Sequence, residues 1–407
     1  MTTFLQAYIR AFRGLPLSVW WISLVLFLNR AGTMVLPFLA LYVTQELGHP
    51  VTSAGWLLSA YGVGHLAGAF LGGWLCDVVG PIRIQIWALA LSGLGFLALE
   101  HVDSLWGMAP VLVFAATAAE SFRPANAAAL AAFAPDALQT RAVALNRLAL
   151  NLGFAIGPAV GGLLATRSYD WLFRVDGATC LLASLLMVAL YRRGLLEVSE
   201  HEAKRVAEDR GRHPLADRTY LLFLALIFGF IVVFFQAWGP YPVFLNEFLG
   251  LDEAAFGGLM AFNAVMILLF EMVLTAWAER FSPLAVIAWG GVAVGCGYAV
   301  LNLGTGLPLA VLSMALWTLG EMLALPFAGG WVAKRAGVRH RGKYMGLYTM
   351  VWGLAFIVAP ALGSWIYEAW SPYGLWWVML AIAILSGLGL QSLRARTDAE
   401  VPANAPG

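Results

Sequence analysis

Apolar runs of roughly 20 residues, each closed by a short polar or glycine–proline break, recur along the chain, and a helix of that length crosses the hydrocarbon of a bilayer. The breaks place spans at Leu17–Val43, Ser53–Cys76, Ile82–Leu99, Leu105–Phe133, Ala142–Thr166 and Trp171–Tyr191. Six more follow at Tyr220–Phe244, Ala255–Ala278, Leu284–Leu303, Leu307–Val332, Tyr344–Tyr367 and Leu375–Leu393. The longest polar stretch, Arg192–Arg218, separates the two sets and carries charges of both signs. The pattern predicts an all-α polytopic membrane protein with twelve transmembrane helices. Ahead of the first span, Phe4, Leu5, Tyr8, Ile9 and Phe12 share one helical face, which predicts a short interfacial helix. A signal peptide is not expected: the apolar run after Arg10 and Arg13 is too long and no small-residue cleavage site follows.

Composition sharpens this. The 407 residues are 61% hydrophobic and 12% charged, against about a quarter charged in soluble proteins, which leaves no room for an ordinary soluble domain. A net charge of +1 gives no footprint for nucleic acid. Cys76, Cys180 and Cys296 lie in or beside apolar runs without paired spacing and are expected to be small buried hydrophobes, with no metal site. Lysine and arginine are one-sided. Arg83, Arg141, Arg192, Arg193, Arg280, Lys334, Arg335, Lys343 and Arg394 fall in loops on one side, against only Arg167 and Arg174 on the other. By the positive-inside rule both termini and the central stretch are cytoplasmic.

One shift relates the two halves. Asp77 and Glu279 end spans two and eight, and 279 − 77 = 202. The same shift of 202 carries Pro81 to Pro283, Pro124 to Pro326, Pro158 to Pro360, Gly161 to Gly363 and Arg141 to Lys343. Two pseudo-symmetric six-helix bundles in parallel arrangement follow, a plan used by alternating-access transporters. The expected organisation is a first bundle at 1–191, a cytoplasmic linker at 192–218, a second bundle at 219–396 and a flexible tail at 397–407.

Charges inside apolar runs are expensive and mark function. Arg30, preceded by Asn29, sits in span one; Glu120 and Arg123 lie one turn apart in span four; Arg147 is in span five. Glu271 is deep in span eight and Glu321 deep in span ten. A lone carboxyl group in low-dielectric surroundings can hold a proton near neutral pH, as a proton-coupled carrier requires. Glu321 is the first choice for that role and Glu271 the second, while Glu120 is expected to balance Arg123 or Arg30. Gln236, Trp238 and Trp317, with Phe234, Phe235 and Tyr241, are expected on an apolar, aromatic cavity wall. His65 and His101 are expected to be structural and His340 solvated. No Gly-Lys-Ser/Thr phosphate loop, no His-Glu-x-x-His and no nucleophile–base set is present, so neither ATP hydrolysis nor another enzyme activity is expected.

The loop after span two reads Gly72-Gly73-Trp74-Leu75-Cys76-Asp77-Val78-Val79-Gly80-Pro81-Ile82-Arg83. Asp77 there could cap the next helix or pair with an arginine and latch one conformation. Gly73, Leu75, Asp77, Gly80 and Arg83 match the signature of the major facilitator superfamily, which the whole chain resembles; Val78 and Pro81 stand where basic residues are usual. The resemblance implies that this loop gates the cytoplasmic side. It also implies that spans one, four, seven and ten line a central cavity, gathering Arg30, Glu120, Arg123 and Glu321.

In span five, Gly153, Gly157 and Gly161 recur every fourth residue around Pro158 and form one flat face. This stretch resembles the fifth-span signature of drug:proton antiporters, and a close-packed, bendable seam between the halves would suit rocking. Gly320-Glu321, followed by Pro326, resembles the tenth-span acidic motif of some of the same antiporters and of proton-coupled peptide transporters.

The expected function is a proton-coupled secondary transporter, an efflux antiporter for drug-like or amphipathic small molecules, with protons as coupling ion and no other cofactor. It would act as a monomer in a bacterial inner membrane. The alternative is a proton symporter for small peptides or other zwitterions. Against it, the Phe-Leu-Asn-Arg-Ala-Gly stretch of span one lacks the paired acidic residues of peptide transporters. A non-transporting membrane sensor or scaffold is the third reading.

Overall fold

A computed structural model describes residues 14–135, 138–196, 214–336 and 341–400. The expected N-terminal interfacial helix, the linker interior at 197–213 and the chain end at 401–407 lie outside the described residues. Among the described residues every regular element is helical, and twelve helices are long and apolar enough to cross a membrane.

Span one consists of α1 (Leu17–Ala31), α2 (Val35–Leu41) and a short π-helical turn at Tyr42–Glu46. Then come α3 (Val51–Val79), α4 (Pro81–Leu99), α5 (Leu105–Phe133), α6 (Gln139–Ala165) and α7 (Asp170–Arg192). Span seven is α8 (Arg218–Phe234), a 3₁₀ segment at Phe235–Trp238 and α9 (Pro240–Leu249). The rest are α10 (Glu253–Ala278), α11 (Pro283–Val300), α12 (Leu307–Arg335), α13 (Arg341–Ala369) and α14 (Pro372–Glu400).

Local chemistry sets the boundaries. Pro81 and Pro283 start helices where their missing N–H is no loss. Ser104 and Asp252 cap α5 and α10 by accepting from the N–H groups of Gly107 and Ala255. Gly80, at φ +94°, makes the turn from α3 to α4 in a conformation other residues rarely adopt. Spans one and seven, read from sequence as continuous, are both interrupted. The first breaks between Ala31 and Val35; the second breaks at Gly239, ahead of Pro240.

The chain forms two compact units. One comprises the described residues up to Leu39 and from Ala60 to 196; the other comprises Ala40–Ser59 and the described residues from 214 onward. The stretch 40–59, assigned from sequence to the first bundle, thus packs with the second. Its physical reason is a polar seam with α13. Ser59 Oγ donates to the Ile357 carbonyl (2.6 Å), and Glu368 Oε1 accepts from the Thr52 N–H (2.9 Å). Gly55 sits against Ser364 and the Pro360 carbonyl.

In the first unit, Ile22, Val25, Leu26, Leu89, Phe122 and Met187 form a buried core. The glycine face of α6 lies against span one of the same unit. A Cβ on Gly157 would meet the carbonyls of Arg30 and Thr33 at 2.9 Å, and one on Gly153 would meet Arg30 Cβ at 2.5 Å. Gly161 faces Phe38 and Met34. The glycine seam expected between the halves is therefore a seam inside one unit, and α6 runs unbroken through Pro158.

The second unit is built on aromatic rings. Phe234 stacks on Trp317 (4.6 Å between centroids) and Tyr298 stacks on Trp376 (5.0 Å). At the start of α8, Asp217 accepts from the Tyr220 N–H (3.1 Å), from Nε and Nη2 of Arg335 (2.7 Å each) and from the Tyr344 hydroxyl (3.0 Å). It thus ties α8, α12 and α13 together. Burial pushes its carboxyl up, but these donors outweigh burial and hold it below the usual aspartate range.

Two outcomes are expected. Gly157→Ala forces backbone carbonyls apart and destabilises by about 1–3 kcal/mol, whereas Gly73→Ala, with nothing within 4 Å of the added carbon, is neutral in thermal unfolding. Asp217→Asn destabilises by roughly 3 kcal/mol at neutral pH, the low end for breaking a buried pair, because a quarter of the Arg335 side chain stays exposed (25%). Its lowered carboxyl contributes fully above the unfolded value of about 4 and loses that contribution as pH falls through the lower folded value. The gap in unfolding temperature between the two proteins should therefore close on acidification below about pH 4.

Candidate functional site

The interruption of span one organises the first unit's site. Ending α1 and restarting at Val35 frees backbone N–H groups that lipid cannot satisfy. Asp176 of α7, 2% exposed, supplies the acceptor: its Oδ2 takes the N–H groups of Met34 (3.0 Å) and Val35 (3.1 Å). Asn29 donates to Cys180 Sγ on the same helix (3.4 Å). The arrangement fixes the last turn of α1 and with it Arg30, whose guanidinium lies over the Phe154 ring of α6 (5.6 Å).

Arg30 faces a cavity of about 510 Å³ between α1, α5 and α6, lined also by Glu120, Arg123, Asn126, Asn146 and Gln139. Its apolar walls include Leu26, Phe122, Leu130, Leu150 and Phe154. Glu120 is buried (8% exposed) and its Oε1 lies 3.3 Å from His65 Nε2 of α3. Arg123 and Arg30 are close enough for their charges to act on it. Glu120 Oε2, Arg30 Nε, Asn126 Oδ1 and Asn146 Oδ1 are buried without a hydrogen-bond partner among the described residues.

In the second unit, Glu321 of α12 is half-buried, and its Oε2 accepts from Asn263 Nδ2 of α10 (2.9 Å). Asn263 Nδ2 also donates to Thr318 Oγ1 (3.0 Å), one turn before Glu321. Among the described residues no cation lies within ion-pair distance of Glu321. Glu271, about two turns beyond Asn263 on α10, is half-buried and near enough for its charge to act on Glu321.

Sequence-expected residues thus divide. Arg30, Glu120 and Arg123 line one cavity, but beside span five; Glu321 stands in the second unit. Asn29 is turned to Cys180 and does not line the cavity. Gln236 is fully buried and braces the span-seven break, its Nε2 donating to the Val232 and Ala359 carbonyls (3.0 Å each). Trp317 is buried and donates to the Tyr298 hydroxyl (2.9 Å), and Trp238 is half-buried in the 3₁₀ segment. Asp77 and Arg83 are both exposed and make no bond to each other, and Asp77 does not cap α4. Arg147 is exposed on α6.

Asp176 and Asn263 escaped sequence reading, and His65 was expected only to be structural. Asp176 stood in an apolar run like the charges that were singled out, and that signal sufficed to find it. Asn263 carried no such mark, since a lone amide in a span gives no partner, and the sequence did not place His65 beside Glu120.

The sequence pattern of the family described as Major Facilitator Superfamily matches residues 22–245 and 226–407. The chain is 27% identical over 395 residues to a Na(+), Li(+), K(+)/H(+) antiporter of Planococcus maritimus, covering 89% of this chain and 92% of that protein. It is 22% identical over 339 residues to multidrug resistance protein MdtH of Proteus mirabilis, covering 82% of this chain and 83% of that protein. In fold it is similar to a POT family transporter solved in complex with 5-aminolevulinic acid. That likeness has TM-score 0.80 and 15% identity, over 95% of this chain and 97% of that one.

The site makes one prediction about its scaffold. Asp176→Ala strands two backbone N–H groups at about 1–3 kcal/mol each and should lower the unfolding temperature sharply. Asp176→Asn keeps an acceptor oxygen for both and should lower it far less.

Proposed function

The chain belongs to the Major Facilitator Superfamily, and from that premise we propose that it is a proton-coupled antiporter that expels drug-like or amphipathic small molecules by alternating access. It is an integral membrane transporter; the coupling ion, direction and substrate are the proposal. The observation that carries it is Glu321: a mid-span carboxyl group held by the neutral donor Asn263 rather than by a cation. An ion pair would fix the charge on the carboxylate, whereas an amide can bond either the charged or the protonated form. Glu321 can therefore load and release a proton, with Glu271 as the nearby carboxyl that disfavours both being charged at once. The relatives named as a cation/H(+) antiporter and as multidrug resistance proteins support exchange and efflux. The one-sided lysines and arginines support cytoplasmic termini. The rival reading, proton-driven import of a zwitterion, draws on Arg30, Arg123 and Glu120 sharing a cavity.

The test is uptake into inverted vesicles with an imposed pH gradient, using cationic, neutral and zwitterionic amphipathic dyes. Wild type should accumulate at least one dye uphill, and Glu321→Gln should lose uphill accumulation. A Glu321→Gln protein that still concentrates the dye removes Glu321 from the coupling. Substrate moving with protons instead of against them selects the import reading.

A further inference from the structure

We infer that the cavity between α1, α5 and α6 recognises a molecule bearing both signs of charge on an apolar body, an amphipathic zwitterion, rather than a lipophilic cation. The inference rests on reading this cavity as the substrate site of the proposed transporter. The cavity volume, about 510 Å³, suits a small molecule. Its charge is unbalanced: the two guanidinium groups of Arg30 and Arg123 face one carboxylate, Glu120. A cation entering alone meets a net positive wall. An anion entering alone leaves Glu120 Oε2 without a donor, and that atom is buried and has no partner among the described residues. Asn126 Oδ1 and Asn146 Oδ1 are further acceptors in the same condition, while Arg30 Nε is a donor without an acceptor. A buried group left in this state is costly, and a ligand that supplies the missing partner gains what the empty site lacks. The unmet groups therefore ask for an acceptor-rich anionic head beside the arginines and a donor-rich group, such as an ammonium, beside Glu120 and Asn126. Phe122, Phe154 and Leu26 would take the apolar body, and the Phe154 ring under Arg30 keeps the guanidinium in place. Glu321 is not needed for this recognition and stays free to carry protons.

Three probes sharing one body separate the terms: biphenylalanine, the biphenylethylamine that lacks its carboxylate, and the biphenylpropanoic acid that lacks its amine. Each is titrated into the detergent-purified full chain at one pH with no gradient, and the rise in Tm is read, since a ligand of the folded state raises it. The zwitterion should bind roughly tenfold or more tighter than either fragment, as expected when one charged contact is removed. Arg30→Gln should erase its advantage over the amine, and Glu120→Gln its advantage over the acid. Should Arg30→Gln fail to fold, Arg123→Gln, which alters an exposed side chain on the same wall, replaces it. Amine binding equal to or tighter than zwitterion binding overturns the inference. So does a preference that neither substitution changes, or the absence of binding by all three. Because no proton gradient enters the measurement, a failure of Glu321 in vesicles leaves this result standing, and the reverse also holds.

Discussion

A helix interrupted inside hydrocarbon must have its freed backbone groups satisfied by protein, since lipid offers nothing to bond. This chain breaks two spans and meets the requirement in two ways. At the span-one break the unmet groups are donors, and a carboxylate, Asp176, accepts two N–H groups. At the span-seven break an amide, Gln236, donates to carbonyls of α8 and α13 instead. Gly363 leaves room for that amide, since any Cβ there would collide with it. The internal repeat is thus kept in the placement of the breaks and lost in the chemistry that supports them. The difference has a consequence for charge. The carboxyl group of Asp176 at the first break lies near Arg30, whereas the group that braces the second break, Gln236, is a neutral amide.

The same division runs through the ionisable groups. The first unit brings Arg30, Arg123 and Glu120 to one cavity, with His65 beside Glu120 and Asp176 near Arg30. Such a set is suited to orienting a polar ligand, because its charges are fixed in place before the ligand arrives. The second unit holds Glu321 by one neutral donor, Asn263, with the Glu271 carboxyl near enough for its charge to act on it. A group in that setting responds to protonation more readily than one pinned by a guanidinium. Under the proposed function, recognition and coupling fall to different chemistry.

Much of the architecture was legible in the sequence because hydrophobic periodicity and length decide spans in a membrane. The end points of α5, Leu105 and Phe133, are those read from the sequence. The breaks in spans one and seven were not legible. Gly32 and Gly239 stand in runs that stay apolar on average, and a hydropathy pattern does not register a break of a few residues. Side-chain direction was also hidden. Asn29 and Arg30 are adjacent, yet one reaches Cys180 and the other the cavity, because consecutive helical positions point about 100° apart. Gln236 was expected on an apolar, aromatic wall, and its amide instead donates to carbonyls inside the fold. Asp176 stood in an apolar run as Arg30 and Glu120 did, and its place at the span-one break could not be read from that run.

The glycine face of α6 changes meaning once its partner is known. Gly153, Gly157 and Gly161 let α6 approach the broken span one so closely that the carbonyls of Arg30 and Thr33 lie where side chains would be. Contact of this kind is close-packed and directional, so it resists sliding. The cavity wall supplied by α6, with Asn146, Leu150 and Phe154, is consequently held in register with Arg30 of α1. A motif read as a bendable seam is, in this chain, a clamp that keeps two walls of the cavity at constant spacing. Movement of α1 would carry α6 with it, and Arg30, Asn146 and Phe154 would keep their mutual geometry.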